Sequence, residues 1–373
     1  MLSGPFATLI LGDLGAEIIK IEHPGRGDLT RAVQPTLEGT DTTAYFASLN
    51  GGKKSVTLDL STPPGTAAFE RLASTADVII ENYRPNTMER WGLGYDALSA
   101  ANPDLVYCSI SGFASGTYRD LPAFDMVVQA LSGSMSVTGT ADGPPLRPGL
   151  PIGDICAGMY AVIGVLAALS ARDEVGGQYV EAPMYGGLAS WLTERAGYTF
   201  ATDSPYPRTG TVHPTLAPYR TFQTADGWFA VAIGSEGSWQ SFCDAIDRPD
   251  LRDDPRFASN TDRVANRETL QEILEPLFAR NSADEWFARF RQHGVPGAPV
   301  RDTTEVFEDE HLLSAPYTTT ETVGDTELTL VTVPLLFSSL RTDLNRTPPS
   351  LGEHTDAVLG SVLTPEELAG LGG

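Results

Sequence analysis

Residues 76–113 read ADVIIENYRPNTMERWGLGYDALSAANPDLVYCSISGF. DVIIENY (77–83) is a β-rich apolar run, TMERWGLGYDALSAANP (87–103) is helical with a break at its glycines, and LVYCSISGF (105–113) is strand-like again. A strand, a helix and a second strand in this order predict parallel strands joined by a crossover. The same alternation extends upstream. EIIKIE (17–22) reads as a short buried strand and KSVTLDL (54–60) alternates like one. TPPGTAAFERLASTA (62–76) reads as a helix with Thr62 at its cap and prolines in its first turn. Downstream, FDMVVQALSGSMS (124–136) is helical, a long apolar helix runs from Gly153 to about Arg172, GGQYVEAPM (176–184) is strand-like, and a further helix reaches about Ala201. The predicted class is α/β, with a mostly parallel sheet covered by helices.

The texture changes at SPYPRTGTVHPTLAPYR (204–220), which is dense in Pro, Gly and Thr and reads as a linker. GWFAVAIG (227–234) then reads as a strand, and SWQSFCDAIDRP, RVANRETLQEILEPLFAR and ADEWFARFRQHG read as amphipathic helices. ELTLVTVPLLFS (327–338) returns to strand texture. The predicted organisation is a large domain over 1–205, a smaller inserted α+β domain with its linkers over 206–309, and a return to the large domain over 310–373.

The 373 residues carry 48 acidic and 25 basic side chains, a formal net charge of −23. Nucleic-acid binding needs a positive footprint, and this composition has none. An anionic small-molecule substrate would need local basic groups. Lysine occurs only at Lys20, Lys53 and Lys54, so those groups are chiefly arginines. Three widely spaced cysteines, Cys108, Cys156 and Cys243, fit neither a disulfide framework nor a zinc site and suit a reducing cytoplasm. The N-terminal stretch lacks a basic region and carries Asp13 early, so it reads poorly as a secretory signal. The apolar run from Ile155 to Ala171 is shorter than a membrane span needs and contains Gly158 and Gly164, so a buried core helix is predicted.

The sequence contains no GxxxxGK[ST], no GxGxxG after a strand, no GxSxG and no HExxH. The histidines at 23, 213, 293, 311 and 354 have no metal-ligand spacing, and no metal is implied. One acid stands out. Asp154, in PIGDICAGMYAVIG, sits immediately before the apolar helix. Its bland reading is a helix cap, and a helix N-terminus also holds a carboxylate ionised. With Gly153, Ala157 and Gly158 around it, such a carboxylate is open to a substrate and can attack a thioester.

GPFATLILGDLGAEIIKIEHPGRGDLTR, NGGKKSVTLDL, ADVIIENYRPNTMERWGLGYDAL, NPDLVYCSISGF, DGPPLRPGLPIGDICAGMYAVIGVLAAL, GVPGAPV and LGEHTDAVL occur in this order over nearly the whole chain. This ordered set resembles the class III CoA-transferases, the superfamily of formyl-CoA transferase, carnitine CoA-transferase and, more distantly, α-methylacyl-CoA racemase. The resemblance implies a Rossmann-like large domain made from both chain ends, an inserted small domain, and two chains interlocked as a homodimer. It implies an enzyme that moves CoA from an acyl-CoA donor, with succinyl-CoA as the expected donor, to a carboxylic acid through an aspartyl-CoA thioester on Asp154. CoA itself is the only cofactor, acting as substrate, and neither nucleic acid nor membrane is a partner. Asn82 and Tyr83 match a nucleotide-contacting pair, Arg90 a phosphate contact, His23 a position that is often Arg, Leu58 and Asp59 a segment bordering the adenine, and Phe124 an aromatic near the active site. His213, Tyr219 and Arg220 lie where a substrate-facing loop is expected.

Two departures matter. HPTLAPYR stands where formyl-CoA transferase has a run of glycines, which argues against formate–oxalate exchange. The chain also starts where the family has already formed a first strand, so the sheet is expected to lack a strand. The alternatives are a racemase-like CoA-ester isomerase and a catalytically silent CoA-binding homologue. The racemases place a proton-transferring His where this chain has Phe124, which has no proton to exchange.

Overall fold

A computed structural model of the chain describes residues 1–339 and 346–371. The chain divides into two units. The first comprises Met1–Met135, Arg147–Thr202 and Glu310–Gly373, and the second Ser136–Leu146 and Asp203–Asp309. The predicted insertion began at 206; the structure also assigns 136–146 to the second unit. That segment carries no periodic pattern that would have marked it. Arg208 holds it, donating from Nη2 to the Gly143 carbonyl at 2.9 Å and from Nε to the Thr140 carbonyl at 3.3 Å.

The first unit runs α1 (Ser3–Asp13), β1 (Ile19–Glu22), α2 (Ala44–Asn50), β2 (Lys54–Thr57), α3 (Pro63–Ala73), β3 (Val78–Glu81), α4 (Thr87–Arg90), α5 (Tyr95–Ala101), β4 (Val106–Ser111), α6 (Asp125–Leu131), α7 (Ile152–Val175), β5 (Tyr179–Pro183), α8 (Met184–Trp191) and α9 (Thr193–Thr202). Local chemistry sets several of these boundaries. Thr62 caps α3 by accepting from the Gly65 N–H, and prolines occupy the first turn, where an N–H has no helical partner. The break between α4 and α5 falls at Gly92, whose φ of +77° suits glycine. The parallel strands form two separate sheets, β1–β2 and β3–β4–β5.

Helix α7 buries Ala157, Ala161, Val165 and Ala168, a stripe at helical spacing, against Ala7 and Leu11 of α1 and Val106, Cys108 and Ile110 of β4. The prediction of a buried core helix therefore holds for one face. Met159, Tyr160, Ile163 and Leu166 are exposed on the helix. Gly158 lets α1 approach closely: a Cβ there would lie 2.9 Å from Phe6 Cδ1 and 3.0 Å from the Ser3 carbonyl oxygen.

The second unit contains β6 (Tyr219–Gln223), β7 (Trp228–Ala232), α10 (Glu236–Ala245), α11 (Asp250–Asp253), α12 (Asn260–Ala265), α13 (Arg267–Phe278), α14 (Ala283–His293), β8 (Gly297–Pro299) and α15 (Thr303–Phe307). Its strands form one antiparallel sheet in the order β6–β7–β8. The helices cover an aromatic core that includes Phe222, Phe229, Phe242, Phe278, Trp286 and Phe290. Arg263 is buried within this unit. It stacks 4.7 Å over Trp239 and donates to the Ala217 and Phe257 carbonyls and to Glu236.

The chain then returns with α16 (Glu310–Ser314), β9 (Thr318–Val323), β10 (Thr326–Val331), α17 (Thr355–Leu359) and α18 (Pro365–Gly370). The strand texture of 327–338 is realised only at its start. There β10 pairs antiparallel with β9 across Gly324, at φ +61°, rather than joining a parallel sheet. The C-terminal segment packs on β2: the His354 N–H donates to the Ser55 carbonyl at 2.9 Å, and Val358 and Leu359 share a core with Val56, Leu58 and Leu72.

The loop after β1 is stapled by charge. Burial works against the Asp28 carboxylate. The Lys20 ammonium at 2.6 Å and the Thr30 N–H and hydroxyl, both at 2.8 Å, outweigh it and hold the pKa at about 2. The folded value lies below the unfolded one, so this stabilisation is present above the ordinary aspartate value of 3.8 and is lost as pH falls through about 2. Asp28→Asn should lower stability at neutral pH by about 2 kcal/mol and flatten that acid limb, read by urea denaturation at stepped pH. Gly158→Ala should force α1 away from α7 and cost about 1–3 kcal/mol in the same assay.

Candidate active site

In an open α/β unit, ligands gather at the carboxyl ends of parallel strands. His23 follows β1, Leu58 and Asp59 follow β2, and Asn82 and Tyr83 follow β3. The two sheets present these ends to common surroundings. The Ser61 hydroxyl and N–H, 2.6 and 3.0 Å from Asp59 Oδ1, hold that carboxyl below its usual range, and the Arg26 guanidinium adds to the effect. The Tyr83 hydroxyl in turn senses Glu81, Asp28 and Arg26.

The individual placements differ in kind. His23 is exposed, with Nδ1 2.6 Å from the Pro24 carbonyl oxygen. Leu58 is only 3% exposed and packs in the core, which leaves Asp59 as the accessible member of that pair. Tyr83 packs its ring edge-to-face on Trp91 at 5.4 Å. Arg90 is exposed and donates to the Thr87 hydroxyl at 3.0 Å. Arg26 and Arg84, which the sequence reading did not single out, are exposed on the same loops. Arg119, also not anticipated, donates to the Asn86 side chain at 2.9 Å.

Asp154 lies in the first turn of α7, and the cap position is Pro151, which makes no side-chain cap bond. The expectation that Asp154 caps its own helix is therefore corrected. Asp125 supplies the acceptor instead: its Oδ1 accepts from the Gly153 N–H at 2.8 Å and from the Asp154 N–H at 3.4 Å. Gly153 makes room for it, since a Cβ there would stand 2.9 Å from that oxygen. The Gln129 amide donates to Asp125 Oδ2 at 2.6 Å. The hydroxyl and N–H of Ser3, at the head of α1, favour the ionised form of Asp154. The Asn82 amide donates to the same hydroxyl at 3.3 Å, so Ser3 relates Asn82 to the surroundings of Asp154.

The electrostatic expectation changes with it. Burial pushes the Asp154 carboxyl above the ordinary aspartate value and the Asp125 charge pushes it further, while the bonds from Ser3 oppose both. Phe124 occupies the cap position of α6 and is 70% exposed, so it is not a core phenylalanine. Ser3 and Asp125 were missed from sequence. The i, i+4 spacing of Asp125 and Gln129 was the available signal for the latter.

His213, Tyr219 and Arg220 lie together in the second unit. The His213 and Tyr219 rings are 4.9 Å apart, and the His213 N–H donates to the Tyr219 carbonyl at 3.0 Å. Arg220 is 3.9 Å from Glu275 and lines a narrow cleft with Val212, Leu216 and Arg267. In the first unit, Phe113, Tyr118 and Tyr185 wall a separate cleft of about 370 Å³ at the ends of β4 and β5.

Comparison with known proteins agrees with this geometry. A family model described as CoA-transferase family III matches residues 1–355. A succinyl-CoA:mesaconate CoA-transferase of Haloarcula hispanica is 38% identical, over 96% of this chain and 92% of its own length. A succinyl-CoA:glutarate CoA-transferase of Homo sapiens is 34% identical, over 99% and 85%. The crystal structure of a CAIB/BAIF family protein from Brucella suis superposes with a TM-score of 0.88 at 34% identity, covering 97% of this chain and 96% of that one. A strand-end face joined through Ser3 to a helix-head carboxylate, in a chain similar to these over nearly its whole length, identifies a member of CoA-transferase family III.

Proposed function

We propose that this protein transfers CoA from an acyl-CoA donor, with succinyl-CoA as the first candidate, to a carboxylic acid acceptor through covalent intermediates on Asp154. The observation that carries the reading is the partly buried Asp154 carboxyl, raised above its usual range and linked through Ser3 to Asn82 on the nucleotide-facing loop. The donor choice rests on the relatives named for succinyl-CoA.

An Asp154 oxygen attacks the thioester carbonyl, the C–S bond breaks, and CoA leaves as thiolate from a mixed anhydride. The thiolate attacks the Asp154 carbonyl carbon, releasing the donor acid as carboxylate and leaving an aspartyl-CoA thioester. The acceptor carboxylate then attacks that carbon and expels the thiolate. The thiolate takes the acceptor acyl group and frees Asp154. Each tetrahedral oxyanion needs donors close by, and the Ser3 N–H and hydroxyl stand beside the reacting carboxyl. Arg26, Arg84 and Arg90 supply cationic contacts for the phosphates, His23 adds a polar contact, and Asn82, Tyr83 and Asp59 border the nucleotide. His213, Tyr219 and Arg220 offer a cation and polar groups to an acidic substrate.

Exposed apolar side chains on α6 (Met126, Val127, Leu131) and α7 (Met159, Ile163, Leu166) give a second copy a surface to cover, as the interlocked homodimer requires. The free cysteines are all buried, in keeping with a cytoplasmic setting.

Incubation with succinyl-CoA followed by hydroxylamine or borohydride trapping and peptide mapping should place the modification on Asp154. Asp154→Ala should lose at least about a thousandfold in CoA transfer. Full activity in that variant would refute the mechanism. Attack needs the ionised carboxylate, so acylation should fall as pH drops through a value above the ordinary aspartate range. Single-turnover trapping across pH reads this directly.

A further inference from the structure

Asp125 is unexplained by the steps above, yet its carboxylate accepts from two N–H groups at the head of α7. We infer that Asp125 is a positioning residue for Asp154: it occupies the backbone donors at the start of α7 and so keeps the Asp154 carboxylate turned to Ser3 and ready to attack. This rests on the covalent reading just given.

A helix begins with N–H groups that have no intrahelical partner. An acidic side chain in the first turn is drawn back onto them, and the positive helix end quiets its charge. Either effect would blunt a nucleophile at position 154. Here Asp125, delivered by a different helix, accepts from Gly153 at 2.8 Å and from the Asp154 N–H at 3.4 Å. The nucleophile sits at the favourable end of a helix without serving as its cap.

The clamp is built rather than incidental. Gly153 has no side chain to obstruct Oδ1, and Gln129, 0% exposed, commits its amide to Oδ2 at 2.6 Å. That commitment leaves Gln129 Oε1 buried without a hydrogen-bond partner. Packing alone gives no reason to orient the amide this way; holding a carboxylate does.

Charge adds a second effect. Two carboxylates at one helix head repel while both are ionised. Acylation neutralises Asp154, so the repulsion is relieved as the new bond forms, an interaction that favours the later state over the earlier one. The other groups facing Asp154 are Ser3 and the Met1 α-amino group at the start of α1, and Tyr45 of α2, whose hydroxyl feels both Asp154 and Asp28.

The test uses Asp125→Asn, which keeps an oxygen acceptor for the Gly153 N–H but removes the charge, and Asp125→Ala, which removes both. Two readouts are needed: carbon NMR titration of the aspartate carboxyls, with the Asp154 signal assigned by its loss in Asp154→Asn, and single-turnover trapping of the Asp154 adduct across pH. In Asp125→Asn, Asp154 should titrate at lower pH than in wild type. The acid limb of acylation should move the same way, and the acylation rate should fall on the order of tenfold with acyl-CoA affinity unchanged. Asp125→Ala should lose more. A normal wild-type adduct combined with an unmoved titration and rate in Asp125→Asn overturns this proposal alone. A wild-type protein that forms no Asp154 adduct with any acyl-CoA overturns the covalent reading, and the assigned role with it.

Discussion

The first turn of α7 is the constraint on which the site depends. Its leading N–H groups need acceptors, and those of Gly153 and Asp154 find theirs in Asp125 on α6. Everything around that bond is arranged at van der Waals limits. Gly153 admits the carboxylate, and Gly158, one turn on, admits α1. Because α1 lies so close, Ser3 reaches Asp154, and because Ser3 is there, Asn82 is tied to the same point. Two glycines in one helix head thus relate the strand-end loops to Asp154.

Much of the first unit was legible in sequence because its physics is local. Short apolar runs are what buried parallel strands look like, and the β3–β4 unit and the Thr62 cap fell where residues 62–113 put them. Pairing was less legible: β10 was visible as a strand, but nothing in its residues says that β9, rather than a parallel sheet, is its partner. Segment 136–146 was invisible because its membership in the second unit rests on contacts from Arg208, more than 60 positions away. At the site, family likeness pointed to Asp154, Asn82 and Tyr83, but the residues alone could not tell which of two carboxylates caps α7. That depends on where α6 lies, which is a tertiary fact. Leu58 shows the same limit: a strand-end pair contains one inward and one outward residue, and only packing says which is which.

The charge distribution has a related lesson. A chain of net charge −23 repels an anion at long range, yet Arg26, Arg84 and Arg119 stand exposed on strand-end loops of the first unit and Arg90 at the end of α4. Salt screens the distant field within about 8–10 Å and leaves short contacts largely intact. Recognition of a polyphosphate at such loops would be a matter of contact geometry rather than steering, and the planar arginine fork is the side chain suited to it.

The split of the second unit has a bearing on how such proteins diversify. Residues 136–146 precede Asp154 in the chain and residues 203–309 follow it. Any single stretch of gene that carries the whole second unit therefore also carries α7 and Asp154. Recombination cannot graft a foreign second unit onto a resident α7 by exchanging one contiguous block. The two are inherited as a linked cassette.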